Sequence, residues 1–227
     1  MKTTSINEPC LNKSANGLTL VEVLISIVVV AVLAMLLLPA LAKSRARSSR
    51  LGCVSNLKQV GLAFRTWSSD QGDKFPWSVS TNQGGTLEFA NTAAVFRHYH
   101  AVSNELSSPR VLTCEKDQQR RRASSWDQLT SDSVHLSYFL GLSADETRPQ
   151  MILSGDRNLT TNGRLASGLV PIRSNTVVGV APLLHTHYMN VGLADGSAQQ
   201  FAADELQRLN GAQFASITNQ SVVFGIP

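Results

Sequence analysis

The chain has 227 residues, enough for one soluble domain with a hydrophobic core in addition to a membrane segment. It has 20 Lys and Arg residues against 16 Asp and Glu residues. Residues 23–69 contain no acidic residue, and their basic residues are Lys43, Arg45, Arg47, Arg50, Lys58 and Arg65. A basic run beside an apolar segment is typical of contact with anionic lipid headgroups. Nucleic-acid binding would require a recognition motif or interleaved aromatic side chains, and we identify neither in this run. Composition therefore favours a membrane surface and predicts no nucleic-acid partner.

The first 17 residues, MKTTSINEPCLNKSANG, are polar, and an uncharged run of 20 residues extends from Val23 to Ala42. At about 1.5 Å per residue, a helix over this run spans about 30 Å, the thickness of a bilayer core. A secretory signal peptide is the alternative, because "PALAKS" resembles a small-residue cleavage site. The apolar region of such a peptide is usually only about 7–15 residues long. The run therefore predicts a single transmembrane helix.

A carboxylate, Glu22, lies at the edge of this apolar run. A charge in lipid is costly and is normally paired, yet no basic residue lies near Glu22 in the sequence. Cleavage after Gly17 would create an α-amino group on Leu18, at the same membrane depth. Glu22 of one subunit could then neutralise Leu18 of a neighbouring subunit. The alternative is an ordinary membrane anchor with a chance glutamate.

The segment "GLTLVE" resembles the prepilin signal of type IV pilins and type II secretion pseudopilins. The resemblance implies that Gly17 precedes the cleavage site and that Leu18 becomes the mature N-terminus, which the prepilin peptidase also N-methylates. It assigns to Glu22 the role of the family's conserved glutamate in assembly. Pro39 falls where members often carry a helix-weakening proline. Leu18 departs from the usual Phe, which the family tolerates.

The helical pattern continues past the apolar run. An amphipathic helix is predicted because one face collects, at steps of three and four residues, Cys53, Leu57, Val60, Phe64 and Trp67. Lys58 and Arg65 lie on another face, so the apolar stripe is expected to pack on the head. The polar segment "SSDQGDKFPW", with Gly72 and Pro76, should end the helix.

A second resemblance is to pilin-like proteins abundant in planctomycete and verrucomicrobial bacteria. Those proteins often carry a C-terminal His followed after nine residues by Asp-Gly, matched here by His185, Asp195 and Gly196. They also tend to carry a segment like "SPRVLTCEKD". In the predicted stem and just after it, the matching positions are Cys53, Asn56–Gln59, Gly61, Trp67, Asp70 and Phe75-Pro76.

The remaining residues predict a strand-rich head. Short apolar segments at His135–Leu142, Met151–Asp156 and Thr176–Ala181 are typical of strands. A short helix is expected from about Asn91 to Val102 and another over "ADELQRLNG", while "RRRASSWDQLTSDS" is expected to be a solvated loop. Asp195-Gly196 lies between two alternating runs and predicts a type I′ hairpin.

The head shows no convincing site for chemistry. His185, His187 and Asp195 match no standard zinc spacing, and the turn itself explains Asp195. The loop after Asp156 has too few carboxylates for calcium, and no Gly-x-Ser-x-Gly elbow is present. "KDQQRRR" could meet DNA, but a solvated loop is the simpler interpretation. We therefore expect no metal, no cofactor and no enzyme activity.

The chain has three cysteines, Cys10, Cys53 and Cys114, and cleavage after Gly17 would remove the first. The remaining pair would lie in a periplasm that is kept oxidising. A disulfide between them would tie the stem to the head and stabilise the fold by about 4 kcal/mol in the chain-entropy model. The alternative is two buried free thiols. The choice depends on whether the Cα atoms lie within about 7 Å.

Together the resemblances imply an α+β pilin-like fold. Its parts are expected to be a cytoplasmic leader (1–17), a transmembrane helix (18–42), an amphipathic stem helix (43–68) and a periplasmic α+β head (69–227). The implied function is a structural subunit, by preference a type II secretion pseudopilin, in the bacterial inner membrane. Its partners would be the prepilin peptidase, other pseudopilin or pilin subunits, the inner-membrane assembly platform and the lipid bilayer.

Two alternatives stay open: a type IV pilus subunit, and a membrane-tethered periplasmic binding protein or hydrolase that uses the same targeting signal. One signal opposes a periplasmic head. The basic residues between Lys43 and Arg50 outnumber Lys2 and Lys13 of the leader, and positive charges normally stay in the cytoplasm. The prepilin signal is the more specific of the two, so we expect it to set the orientation.

Overall fold

The computed structural model describes residues 19–185, 188–215 and 222–227. The chain divides into two compact units, residues 1–46 and residues 47–227. The division falls within the first helix, α1 (Leu20–Asp70). The apolar run belongs to the first unit. The second unit contains the head and the remaining part of α1, residues 47–70, which we name the stem segment.

Helix α1 has 51 residues and contains Pro39 in its interior. Proline lacks the backbone N–H and normally weakens a helix, so its helical neighbours must outweigh that cost. The helix ends where the sequence turns polar. Gly72 there adopts a φ of 66°, a left-handed conformation that favours glycine, and Asp73 N donates to Ser68 O at 3.0 Å.

The segment between α1 and the first strand contains short helices. The predicted helix at 91–102 is present as α2 (Val95–Ala101), and α3 (Asp132–His135) follows. The expectation of a solvated loop over residues 120–133 is wrong in part. Ala123 and Leu129 are buried, and a short 3-10 helix, Trp126–Gln128, precedes Leu129. Their apolar side chains anchor the segment to the head.

The strands in chain order are β1 (Tyr138–Gly141), β2 (Ile152–Asp156), β3 (Leu159–Thr161), β4 (Arg164–Leu165), β5 (Gly168–Ile172), β6 (Val178–Val180), β7 (Tyr188–Leu193), β8 (Ala198–Ala202) and β9 (Val222–Ile226). Within the described residues they form a six-stranded sheet in the order β5-β9-β1-β2-β7-β8 and a three-stranded sheet in the order β4-β3-β6. Neighbouring strands pair antiparallel. Helix α4 (Ala203–Ala215) follows β8. The α+β class predicted from the sequence is confirmed.

Both faces of the six-stranded sheet are covered. Leu140 and Leu153 belong to a core cluster that includes Val60 and Phe64 of the stem segment. On the other face, a second cluster contains Phe139, Ile152 and Met189 of the sheet, Leu206 of α4 and Val178 of the smaller sheet. Alternate residues of a strand point to opposite faces, so β1 and β2 are buried at every position.

The predicted apolar stripe of α1 lies in this core. Its five members are buried, with at most 7% of any side chain exposed: Cys53, Leu57, Val60, Phe64 and Trp67. The ring of Phe64 lies 5.4 Å from that of Trp77 and 5.9 Å from that of Tyr99, centroid to centroid. Burying one such side chain contributes about 1.5–3 kcal/mol, so the stem segment is a principal part of the core.

The hairpin between β7 and β8 occurs where Asp195-Gly196 predicted a turn, but the turn type was wrong. Gly192 pairs with Ala198, and Leu193 N donates to Ser197 O at 2.8 Å, which leaves a three-residue loop, 194–196. Gly196 has a φ of 81°, while Asp195 is not in the left-handed region. A type I′ turn requires positive φ at both central residues, so this is a longer loop closed by one left-handed glycine.

The imidazole of His98, in α2, is fully buried. Its Nδ1 lies 2.7 Å from the Thr86 hydroxyl, and its ring packs edge-on against Trp77 at 6.0 Å. Burial lowers the pKa of His98 from 6.5 to about 4. The folded protein therefore resists a proton that the unfolded chain accepts.

Replacing His98 with Asn should reduce the loss of stability on acidification. The contribution of His98 is present above the unfolded pKa of about 6.5 and is lost as the pH falls through the range down to about 4. This pKa shift corresponds to a change of at most about 3 kcal/mol in the free energy of unfolding. Urea unfolding followed by tryptophan fluorescence at about pH 7.5 and about pH 4.5 measures it. His135→Asn, at a partly exposed site, is the control. An unchanged pH dependence in the His98 variant would contradict the assignment.

Candidate functional site

The first candidate site is the apolar segment. Among the described residues, the helix contains one stretch long and apolar enough to cross a membrane, Leu20–Pro39. The described residues bury none of its side chains, and Leu20 and Met35 are 79% and 77% exposed. So much exposed apolar surface is unfavourable in water. It is suited to a lipid bilayer or to packing against other apolar helices.

The start of this segment is organised by Thr19 and Glu22. The Glu22 Oε2 atom accepts hydrogen bonds from Thr19 N and Thr19 Oγ1, both at 2.8 Å. Glu22 N in turn donates to Thr19 Oγ1 at 3.3 Å. This reciprocal pattern is a capping box, which satisfies backbone N–H groups that the first helical turn leaves unpaired.

The capping box gives Glu22 a neutral hydrogen-bonding partner in its own first turn, and the pairing of its charge with a neighbour's Leu18 amine stays a prediction. The signal was visible in the sequence as Thr-x-x-Glu immediately before an apolar run. Both bonds from Thr19 end on Oε2, and Oε1 has no hydrogen-bond partner among the described residues. Gly17 and Leu18, the predicted processing residues, lie outside the described residues. Pro39 lies within the apolar segment.

The second candidate site is the junction between the stem segment and the head. A disulfide joins Cys53 of α1 to Cys114, with a Cα–Cα distance of 5.5 Å and a sequence separation of 61. Both residues are buried. Closing a loop of this length stabilises the fold by about 4 kcal/mol in the chain-entropy model. The sequence left two alternatives for these cysteines, a disulfide and two free thiols, and the structure has the disulfide.

Buried polar groups surround this disulfide. His185 Nε2 lies 3.6 Å from Cys114 Sγ and 3.7 Å from Asp156 Oδ2. Asp156 is fully buried at the end of β2, and its Oδ2 accepts hydrogen bonds from Asn190 N and Nδ2 at 2.8 and 2.9 Å. Burial raises the pKa of Asp156 to about 7. Asp156 therefore belongs to the core, and not to the ligand loop considered from the sequence.

A buried ion pair, Asp117–Arg157, lies in the same part of the head. Arg157 Nε and Nη2 donate to the two oxygens of Asp117 at 2.7 and 2.8 Å, and the Ser137 hydroxyl donates at 2.9 Å. Burial alone would raise the pKa of Asp117, but the bonds from Arg157 and Ser137 bring that pKa below its usual value. The segment "KDQQRRR" is therefore not entirely a solvated loop, and Arg120 Nε also donates to Leu136 O at 3.0 Å.

The hairpin loop packs on the stem segment through two glycines. A Cβ atom on Gly61 would lie 3.0 Å from Gly196 Cα, so the two backbones are nearly in contact. Arg65 Nη1 donates to Asp195 O at 2.8 Å, and Arg65 Nε lies 3.3 Å from Glu146 Oε1. The carboxylate of Asp195 accepts from Ser197 N at 2.8 Å within its own loop.

The residues of the C-terminal motif are thus divided between two contacts with α1. His185 lies beside the disulfide, whereas Gly196 lies against Gly61 and the Asp195 carbonyl accepts from Arg65. The two metal candidates His185 and Asp195 have different surroundings, and His187 lies outside the described residues. Sequence reasoning missed the burial of Asp156 and Arg157, since nothing in their local pattern marks them as buried.

The head also has an open groove with a volume of about 720 Å³. The guanidinium of Arg97 lies 4.3 Å from the centroid of the Phe89 ring, and His100 Nε2 lies 2.8 Å from Leu129 O. The aromatic side chains of its lining are Phe89, Phe96, His100 and Trp126. Such a surface can hold a small apolar or aromatic ligand.

A comparison with known protein families identifies the signal that overlaps the apolar segment. The family described as "Prokaryotic N-terminal methylation motif" matches residues 12–38, which is well under half of the chain. No curated protein and no solved structure matches the chain. The chain therefore carries a type IV pilin-like, prepilin-type signal. This signal implies processing by a prepilin peptidase, assembly with other pilin subunits and anchoring in a membrane by the apolar segment.

Thiol labelling tests the disulfide, with Cys10 as an internal standard. The uncleaved chain, denatured without reductant, should take up one label, on Cys10, because Cys53 and Cys114 are bonded to each other. After reduction it should take up three labels, counted by intact mass. Three labels before reduction would show that the bridge is absent.

The glycine contact is tested by Gly61→Ala against Gly52→Ala, since both residues lie in α1. Nothing lies within 4 Å of a Cβ atom built on Gly52. Alanine should therefore stabilise the helix there by up to about 1 kcal/mol. At Gly61 the added methyl group meets the backbone of Gly196, and overpacking should make this variant at least about 1 kcal/mol less stable than its control. Thermal unfolding measures both, and equal stabilisation would contradict the contact.

Proposed function

We propose that the chain is a pilin-like structural subunit, by preference a type II secretion pseudopilin. It is cleaved after Gly17, N-methylated on Leu18, and joins a periplasmic fibre through its apolar helix. The observation that carries this proposal is the exposed apolar segment Leu20–Pro39, whose start lies within the prepilin-type signal at residues 12–38. Among the described residues the side chains of this segment are exposed, and so much apolar surface is favourable only in lipid or against another chain.

The geometry at Glu22 supports a role in assembly. The capping box uses Oε2 alone, and within the part of the chain that the structure describes Oε1 accepts no hydrogen bond, which suits it to accept from a neighbour's α-amino group. In a lipid or helix-packed environment an unpaired carboxylate is costly, so a neighbouring Leu18 amine would be a strong partner. The box would also fix the side chain before the neighbour arrives, which reduces the entropy lost on pairing.

A structural role for the head is supported by what its buried titratable groups contact. Asp117 is paired with Arg157, His98 with Thr86, and Asp156 with Asn190. Each of these contacts joins parts of the fold, and we propose that the protein is not an enzyme. A type IV pilus subunit is the alternative within the same structural class.

A second candidate is a membrane-tethered binding protein, which the aromatic groove beside Arg97 favours. The two functions differ in what the head does. In a fibre subunit the head needs no small ligand, whereas a binding protein would take one up in the groove. Trp126→Ala would then abolish binding without affecting assembly.

The proposed function is tested with Glu22 variants co-expressed with a prepilin peptidase. Glu22→Gln keeps the capping box but removes the charge, and Thr19→Ala removes the cap but keeps the charge. Losing one partner of a buried ion pair costs about 3–5 kcal/mol, so Glu22→Gln should lower the yield of crosslinked oligomers in the membrane more than tenfold. Thr19→Ala should lower it much less, because a cap is worth about 0.5–2 kcal/mol.

The processing-blocked variant Gly17→Val serves as a second control, since it never exposes the Leu18 amine. It should lose oligomers to the same extent as Glu22→Gln while inserting normally into the membrane. Oligomer yields in Glu22→Gln equal to those of the unaltered chain would overturn the pairing. Intact oligomers in the uncleaved variant would overturn the requirement for processing.

A further inference from the structure

The disulfide and His185 form a compact group of potential metal ligands. The sulfur atoms of Cys53 and Cys114 and a ring nitrogen of His185 all lie within 4.8 Å of one another, and all three residues are buried. In a tetrahedral zinc site, with Zn–S about 2.3 Å and Zn–N about 2.0–2.1 Å, neighbouring sulfur and nitrogen atoms are about 3.5 Å apart. The distance from Cys114 Sγ to His185 Nε2 is 3.6 Å.

Asp156 lies beside His185, outside the three residues whose ligand atoms all lie within 4.8 Å of one another, and offers an oxygen ligand. Its Oδ2 lies 3.7 Å from His185 Nε2, and its Oδ1 is buried with no hydrogen-bond partner among the described residues. A buried carboxylate oxygen without a partner is unfavourable, and coordination to a cation would satisfy it. Two sulfurs, one imidazole nitrogen and one carboxylate oxygen are ligands that Zn²⁺ accepts.

We propose that reduction of the Cys53–Cys114 disulfide converts this cluster into a binding site for Zn²⁺ or a similar thiolate-preferring divalent cation. The ligands already grouped are Cys53, Cys114 and His185, and the Asp156 carboxylate beside His185 moves in as the fourth when the cation binds. The disulfide first takes two electrons and two protons from a dithiol, which is itself oxidised to a disulfide. Each thiol then releases one proton when it binds the cation as a thiolate.

The two states exclude each other because they use the same sulfur atoms. The Cα atoms of the cysteines are 5.5 Å apart, so the sulfurs can separate to about 3.7 Å, as neighbouring ligands of one cation require, by side-chain rotation. Either state ties the stem segment to the segment around Cys114. A chain that has not yet been oxidised would thus have a metal link in place of the covalent one.

The test uses the full chain in detergent with Cys10→Ser, so that the two junction cysteines are the sole thiols. Co²⁺ is the probe, because thiolate ligation gives a charge-transfer absorption and tetrahedral geometry gives intense d–d bands. The reduced chain should bind one Co²⁺ and release it to Zn²⁺, whereas the oxidised chain should show neither absorption. A reduced chain without a thiolate–cobalt band would overturn the proposal.

Variants distinguish a four-ligand site from cobalt binding by the two thiols alone. His185→Ala should weaken Co²⁺ binding by at least about 100-fold, and Asp156→Asn by about tenfold with altered d–d bands. His135→Ala, outside the cluster, should bind as the parent does. Equal affinity in the His185 and His135 variants would overturn the proposal.

Reduction of the disulfide could itself unfold the head, so the folding of the reduced chain is followed by circular dichroism. Zn²⁺ should raise the unfolding temperature of the reduced chain, or restore its native spectrum if the chain has unfolded, without stabilising the oxidised chain. A reduced chain whose folding is unaffected by Zn²⁺ would overturn the proposal as well.

Discussion

The fold of the head depends on one buried face of the stem segment. Val60 and Phe64 fill the space over one face of the six-stranded sheet, and neither has any exposed surface. The aromatic residues that follow α1 pack onto the same face, so helix and head share one core. Replacing a side chain such as Phe64 with Ala would cost about 3–5 kcal/mol, a large share of a typical domain's stability.

Two further contacts hold this face in register. The disulfide fixes Cys53, and the contact with Gly196 fixes Gly61, eight residues later and therefore about 12 Å along the helix. One contact is covalent and the other depends on close packing of backbone. Together they prevent the stem segment from sliding or rotating on the sheet. The C-terminal motif contributes to both contacts, through His185 and through the hairpin loop.

The part of α1 that belongs to the first unit has surroundings different from those of the stem segment. The side chains of its apolar segment are exposed among the described residues, and its first turn is closed by the Thr19–Glu22 capping box. One continuous secondary structure thus provides both an anchor and a core element. Pseudopilus assembly through the apolar segment is our proposal, and the prepilin-type signal supports it.

Local patterns predicted much of this fold, because periodicity and turn chemistry act over a few residues. The stripe from Cys53 to Trp67 and the turn at Asp195-Gly196 are examples. The order of the strands could not be predicted from local patterns, because it depends on non-local pairing: β9 lies between β5 and β1. The burial of Asp156 likewise depends on non-local pairing, because β2 lies between β1 and β7. The capping box could have been found, because its Thr-x-x-Glu spacing is local, but the search for a partner of Glu22 considered charges alone.

The central claim is that the chain is a processed, pilin-like subunit. The most direct test is the intact mass of the protein purified from membranes of cells that contain a prepilin peptidase. We predict a chain that begins at Leu18 and carries one added methyl group on its α-amino nitrogen. A chain that still begins at Met1, or one that begins after Ala42, would contradict the account.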